Sequence, residues 1–447
     1  MWKERIEKYR QVLAYMETIQ SRGIVLGLDS MKRLMGALGN PQDTLTFVHI
    51  AGTNGKGSVL AFVSHILKCA GYRTGRYSSP AVFSRLEQIQ VNGRAISKAD
   101  YVNGLETIRQ AAEKLEEEGY PYPTPFEVET ALAFWYFREK KCEIVVLECG
   151  MGGLTDATNI INTAAVCVLT AISMDHMGML GEQPAEIAAQ KAGIIKKNCQ
   201  VVCARQAPEV MRVIETSCRE QGAVLREADS SLAKNVRYGL ERQRFDYDSY
   251  DKIVISMAGQ FQIENAIVAV ETISALRTCG YPVTEKMLRK GLLTASWPGR
   301  FCILARRPLF VADGAHNVDA AQKLKESVSF YFTNKQIITI MGILKDKEYE
   351  KIVALTAPLA AQVITVTTPG TKRALAAWEL AGVVRKYNPN VTAADSLQEA
   401  VEMSYLLAGR DSVILALGSL SYLGELSGIV AERHKIRRDT HGRSEES

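Results

Sequence analysis

At 447 residues, with 47% hydrophobic and 23% charged residues, the chain exceeds what one core organises and should divide into two or three domains of ordinary enzyme composition. Its net charge of +5 is small for this size and its basic residues are scattered, which argues against a nucleic-acid surface and suits an anionic ligand. No apolar run reaches the ~18–20 residues that span a bilayer, and the charged start MWKERIEKYR lacks a signal-peptide core, so no membrane partner and a cytoplasmic location are expected.

In chain order, apolar runs of strand length alternate with longer segments of helical period. The first series is TFVHIAG, CEIVVLECG, AAVCVLTAIS, CQVVCA and KIVISMAG; the second is FCILARR, LFVADGA, QIITIMGI, AQVITVTT and SVILALGS. Apolar runs separated by helices read as strands of parallel sheets, buried on both faces. Between the two series, LLTASWPGRF loses helical period at Trp297, Pro298 and Gly299. The expected domains are therefore residues 1–298 and 299–432, followed by a polar tail, 433–447, expected to be disordered. Nine cysteines, mostly inside apolar runs (Cys149, Cys167, Cys302) and without a CxxC pair, read as reduced core residues.

The segment GTNGKGS, residues 52–58, lies between the strand-like TLTFVHI and the helix-like SVLAFVSHILKCAG. Strand, glycine loop and helix together make a phosphate cradle. Gly52, Gly55 and Gly57 let backbone N–H groups approach phosphate oxygens, Lys56 supplies charge, and Ser58 can reach a magnesium ion. The spacing departs from G-x-x-x-x-G-K-[ST]: the glycine before Gly55 is three residues earlier, and Gly57 stands between Lys56 and Ser58. The fold class expected is α/β: an N-terminal P-loop ATPase domain on a mostly parallel, doubly wound sheet, plus a smaller C-terminal Rossmann-like α/β domain.

On their own chemistry, several other residues leave two readings open. Glu148 and His176 each follow a strand-like run and could be metal ligands at the carboxyl edge of a sheet or satisfied buried polar groups. Lys191 shares a helical stripe with Ile187, Ala188 and Ile195. Its stem could snorkel to the surface, or burial could favour a neutral amine able to add CO₂. Asn265 could cap a helix or bind a ligand, and Phe126 and Asp156 could be a core ring and a helix cap.

GTNGKGS resembles the ATP loop of the Mur ligase superfamily, in particular of its folylpolyglutamate and dihydrofolate synthases. Nine further stretches keep that family's order over nearly the whole chain: GIVLGLDSMKRLMGALGNPQ, SSP, TPFEVETALAF, LECGMGGLTDATN, SMDHMGMLG, QKAGI, WPGRF, DGAHN and LGSLSYLGE. The resemblance implies that Gly52, Thr53, Asn54, Gly55, Lys56, Gly57 and Ser58 bind ATP, with Asn265 at adenine, Arg300 at the phosphates and Asp313 on the ATP side. It implies Ser79, Glu148 and His176 as ligands of magnesium, two ions in all, and a carbamylated Lys191. Lys56, Lys191 and His316 would be catalytic; Thr124, Phe126 and Asp156 would line a pteroate pocket, and Ser419 would face glutamate. The chain departs from the family in lacking a histidine after SSP and an arginine before Asp156.

These parts imply an ATP-dependent ligase, acting as a monomer, that joins L-glutamate to a folate or to dihydropteroate through an acyl phosphate. Two alternatives compete. A cell-wall Mur ligase is expected to carry a UDP-binding N-terminal domain, whereas 48 residues precede His49 here. A P-loop nucleotide-binding module would leave Arg300, Asp313 and His316 without a role.

Overall fold

The structure, a computed structural model, describes residues 2–20, 23, 27–174 and 179–444. A first sheet of eight strands comprises β1 (Phe47–Ala51), β2 (Thr74–Tyr77), β3 (Ile89–Val91), β4 (Arg94–Ala95), β5 (Ile144–Glu148), β6 (Val166–Leu169), β7 (Gln200–Ala204) and β8 (Val224–Ala228). Its order is β4-β3-β2-β5-β1-β6-β7-β8. The six strands from β2 to β8 run parallel, and β3 and β4 extend the edge antiparallel. A small antiparallel sheet holds β9 (Lys234–Arg237), β10 (Gln243–Tyr247) and β11 (Tyr250–Ile255). The third sheet has β12 (Cys302–Arg306), β13 (Leu309–Asp313), β14 (Ile337–Met341), β15 (Gln362–Thr365), β16 (Val391–Ala393) and β17 (Val413–Leu417), in the order β12-β13-β17-β14-β15-β16.

Every residue of β1 and β5 is buried, as strands covered by helices on both faces require. Parallel register, with Ile50 opposite both Glu148 and Val168, brings the carboxyl ends of β5, β1 and β6 to one edge. There the chain from β1 turns into the helix Lys56–Cys69, whose apolar face packs on the helices Phe261–Thr278 and Glu285–Thr294.

The expected α/β architecture is present, with three corrections in detail. The run KIVISMAG forms β11, which pairs antiparallel with β10 in the small sheet rather than joining the parallel one. The strand β10 alternates buried and half-buried positions, the pattern of a sheet covered on one face. The run FCILARR forms β12, an antiparallel edge on β13. The last helix, Leu423–Ser444, continues through most of the segment expected to be a disordered tail; that stretch has no proline and no glycine before Gly442 to stop it. The hairpin between β3 and β4 turns on Asn92 and Gly93, both at positive φ, a two-residue Asn-Gly signal present in the sequence. Among the described residues no helix is long and apolar enough to cross a membrane.

One close approach tests this packing. A Cβ on Gly291 would lie 2.4 Å from Ile66 Cα, so the helices Lys56–Cys69 and Glu285–Thr294 meet at a position that only glycine permits. Gly291→Ala should destabilise the protein by roughly 2 kcal/mol, read as a lowered urea midpoint, because backbone rather than a flexible side chain must yield. An unchanged midpoint would show that the two helices can separate without cost.

Candidate functional site

The loop after β1 is held by its own backbone. Gly52 and Gly55 have φ of 153° and 93°, and a Cβ on either would collide with Thr170 Oγ1 at 1.9 Å or Asn265 Oδ1 at 2.4 Å. A Cβ on Gly57 would lie 2.5 Å from the Trp297 ring, leaving no room for a side chain. Thr53 pins the loop to the end of β6: its N–H donates to Ala171 O at 2.8 Å and its hydroxyl donates to Ser173 O at 2.9 Å. The helix then begins at Lys56 with Gly55 as its N-cap. Ser58 is buried, and its hydroxyl accepts a hydrogen bond from Gln262 Nε2 at 3.1 Å.

Glu148, the last residue of β5, is buried beside this loop. Burial pushes its carboxyl up to about 7, against the opposing pull of Lys56, Arg300, a Ser79 backbone N–H and Arg76. A carboxylate so desolvated would gain from a hard cation, and the serine and carboxylate oxygens are donors of the type magnesium prefers. His176 lies outside the described residues. Lys191 is buried and does not snorkel to the surface: only 4% exposed, it donates from Nζ to Gly52 O at 2.9 Å. The same carbonyl accepts from Lys56 Nζ at 3.0 Å, so two lysine side chains converge on one loop oxygen.

A cleft runs from this loop to the third sheet, and one wall carries Phe261 and Asn265, the other Arg300, Asp313 and Lys323. Asn265 is inside a helix rather than at its cap and donates to Gln262 Oε1 at 3.1 Å. Asp313 ends β13, and both its oxygens are engaged: Oδ2 accepts from Phe301 N at 2.7 Å and Oδ1 from Ala315 N at 2.8 Å. These bonds hold Phe301 at φ 44°, a left-handed conformation unusual for an aromatic residue, and so fix the turn that carries Arg300. The Arg300 guanidinium in turn donates to Gly314 O at 3.1 Å. His316 donates from Nδ1 to the same carbonyl at 2.7 Å. Asn54 reaches across the cleft, donating to Asp319 Oδ2 at 2.7 Å and accepting from Asn317 Nδ2 at 3.1 Å, which clasps the loop to the second domain.

A second cavity, of about 720 Å³, adjoins the loop after β5. Thr124, Phe126 and Asp156 line it together with Ser79 and Gly150. Thr124 is the N-cap of the helix Pro125–Glu139 in a reciprocal capping box with Glu127, which aims the first turn, with Phe126, at the cavity. Asp156 caps the short 3₁₀ turn Ala157–Ile160, so here capping and cavity lining coincide in one residue. Ser419 is buried and caps the turn Leu420–Tyr422; it is its neighbour Ser421 that lines the cavity, alongside Gly370.

Four participants escaped sequence reasoning: Gln262 on Ser58, Arg76 beside Glu148, and the pair Arg85–Glu129, with N···O 3.2 Å, in the cavity wall. Each is a lone polar residue in an amphipathic or mixed run, with no local signal. Asn54–Asn317 is a contact over a long chain separation and equally invisible locally.

Comparison with known proteins gives concordant results. Residues 50–273 match the Mur ligase middle domain and residues 299–420 the Mur ligase glutamate ligase domain. Folylpolyglutamate synthase of Lacticaseibacillus casei is 34% identical over 375 residues, covering 82% of this chain and 87% of that protein. Dihydrofolate synthase/folylpolyglutamate synthase of Bacillus subtilis is 32% identical over 411 residues, covering 90% and 95%. The structure of Mycobacterium tuberculosis folylpolyglutamate synthase complexed with ADP superposes with a TM-score of 0.88 at 30% identity, covering 95% of this chain and 99% of that one.

The raised carboxyl of Glu148 makes a prediction of definite sign. An acid whose native value exceeds its unfolded value is favoured in the native state only while protonated, so its cost to stability is absent below the unfolded value, develops between about 4.5 and 7, and is complete above. With divalent cations chelated, Glu148→Gln should therefore be more stable than the parent at pH 8 by on the order of 2 kcal/mol, with the gap closing towards pH 5. Thermal melts at the two pH values check it; an equal gap at both would contradict it.

Proposed function

The chain belongs to the Mur ligase superfamily, among its folylpolyglutamate and dihydrofolate synthases, and from that premise we propose that it uses ATP to join L-glutamate to the carboxylate of a folate. The observation that carries this is the meeting of two spaces. The cleft at the phosphate loop reaches Glu148, and the aromatic-walled cavity of Phe126 and Asp156 begins at Gly150, two residues along the same strand-end turn. A flat heterocycle stacked on Phe126 would direct its carboxylate towards the γ-phosphate end of the cleft.

A carboxylate is a poor electrophile, and activation comes from ATP. The carboxylate oxygen attacks the γ-phosphorus, the bond to the β-phosphate oxygen breaks, and ADP leaves an acyl phosphate. The glutamate α-amine attacks its carbonyl carbon; the C–O bond breaks, phosphate departs, and the amine releases a proton. Lys56 and the loop N–H groups hold the phosphates, and Arg300 brings a fixed positive charge from the second domain. His316, on the turn after β13, would meet the incoming glutamate, as the resemblance implies. Closure across the Asn54–Asn317–Asp319 contact would exclude water from the acyl phosphate.

Glu148 and Ser79, with His176 as the resemblance implies, would hold magnesium, which supplies positive charge to the transferring phosphoryl group. Lys191 would add to CO₂ as a neutral amine, losing a proton to become a carbamate, and so offer an oxygen ligand for a second ion. Its burial supports that reading over a side chain that snorkels to the surface. Dihydropteroate presents the same heterocycle and a carboxylate of its own, and the relative named for both synthases supports its inclusion. A monomer suffices, since one chain supplies both walls of the cleft, and the cytoplasm is where ATP and folate meet.

The purified protein, given ATP, magnesium, L-glutamate and either dihydropteroate or tetrahydrofolate, should release ADP and phosphate and give a product one glutamate longer. Lys56→Ala should reduce turnover by about three orders of magnitude, the loss of a charge that stabilises the transferring phosphoryl. ADP release without an extended product would instead favour a nucleotide-binding module, and full turnover by Lys56→Ala would remove the loop from the chemistry.

A further inference from the structure

Behind the wall of the second cavity lies a buried polar chain that the reaction described above does not use. His49, on β1 three residues before the phosphate loop, is completely buried. Its Nε2 lies 2.9 Å from Thr158 Oγ1 and 3.0 Å from Cys149 Sγ. Thr158 in turn donates from its hydroxyl to Asp156 Oδ1 at 2.5 Å and from its backbone N–H to the same oxygen at 3.0 Å. Asp156 Oδ2 accepts from Met151 N at 2.8 Å.

The tautomer of His49 follows from what is left over. Nδ1 is buried and has no hydrogen-bond partner among the described residues. An unpartnered N–H in that position would cost more than an unpartnered lone pair, so the proton belongs on Nε2. Burial, with Lys196 adding to it, pushes the ring down to about 3, so the imidazole is neutral. A neutral ring with Nε2–H donates to the Thr158 oxygen at 2.9 Å, with Cys149 Sγ, 3.0 Å away, as a weaker second acceptor. Thr158 therefore accepts from His49 and has its one proton committed to Asp156.

We propose that His49 and Thr158 are positioning residues for substrate recognition: through one directed chain of hydrogen bonds they fix the rotamer of Asp156 and hold its carboxylate at the wall of the folate cavity. This rests on the reading above that Phe126 and Asp156 wall the folate cavity, and it adds that the Asp156 carboxylate contacts the heterocycle there. Burial pushes the Asp156 carboxyl up, and the backbone N–H groups of Met151, Thr158 and Gly150 together with the Thr158 hydroxyl pull it back and keep it an acceptor. A heterocycle bearing adjacent N–H donors is the ligand class such an oriented carboxylate selects. Because His49 belongs to the strand that leads into the phosphate loop, the chain also sets the folate wall against the ATP cleft in a fixed relation.

Steady-state kinetics of four variants, each with a thermal melt, test the proposal. Thr158→Val keeps the backbone donor and the side-chain shape but loses the hydroxyl; His49→Met loses the donor, and His49→Gln restores an N–H near the Nε2 position. Thr158→Val and His49→Met should raise KM for the folate roughly tenfold, with kcat at saturating folate and KM for ATP within about twofold, and His49→Gln should recover most of the loss. A folded Thr158→Val with parental folate KM would overturn the proposal. So would His49→Gln as impaired as His49→Met, since only packing would then matter. Asp156→Asn separates the two levels: if it leaves folate KM unchanged, the contact between Asp156 and the heterocycle is wrong and the proposal falls with it; if it raises that KM while Thr158→Val does not, only the positioning chain is wrong.

Discussion

Parallel pairing of β1 with β5 and β6 is the constraint on which the site depends. Register sets Ile50 beside Glu148 and Val168, so three chains leave the sheet at one edge and in one direction. The phosphate loop, the Glu148 turn and the segment that leads to residue 175 thereby face a common space. Ligands of open α/β sheets lie in that position, outside the carboxyl ends of strands where the chain direction switches. A one-residue slip would be opposed by the burial of every side chain of β1 and β5. Loop geometry then refines what the sheet establishes: Thr53 binds the end of β6, and Lys56 and Lys191 meet on Gly52 O.

The second domain completes the cleft without contributing to that sheet. Asp313 illustrates how. Its two oxygens tie the turn of Phe301 to the turn of Ala315, which presents Arg300 towards Glu148 and Lys56. A residue expected on the ATP side thus lines the cleft and also builds the support for the guanidinium beside it. Asn54 joins the same two bodies from the other direction. Charge is concentrated where the two domains meet: Lys56, Arg76 and Arg300 all act on one buried carboxylate. Such a concentration of positive charge suits a polyanion.

Much of this was legible from the sequence where chemistry and local geometry coincide. GTNGKGS needs glycine at positive φ and a lysine within a short turn, so its composition declares its shape. Strands buried on both faces declare themselves as apolar runs, and ten of the runs read as strands are strands. Partners were not legible. KIVISMAG looks like a parallel strand because its apolar content hides that only one face is covered, and its neighbour β10, QRFDY, is too polar to attract notice. Gln262, Arg76 and Arg85 acquire meaning only when the fold sets them against Ser58, Glu148 and Glu129. Ser419 is expected at glutamate because a serine at a strand end resembles a ligand contact; in the fold it also caps the turn that follows. His49 is a single polar residue in an apolar strand, and only the fold brings Thr158 and Cys149 to it.

The central claim is that the two adjoining spaces serve one chemical event, transfer of a phosphoryl group from the cleft to a carboxylate in the cavity. Neither space alone requires it, because a phosphate loop can serve a switch and an aromatic cavity can serve a carrier. The most direct measurement follows an oxygen atom. A folate or dihydropteroate labelled with ¹⁸O in its reacting carboxylate is converted with ATP and L-glutamate, and the inorganic phosphate released is examined by mass spectrometry. An acyl phosphate loses its C–O bond to the attacking amine, so one labelled oxygen should appear in the phosphate. Phosphate free of label, accompanied by normal formation of the amide, would contradict the account.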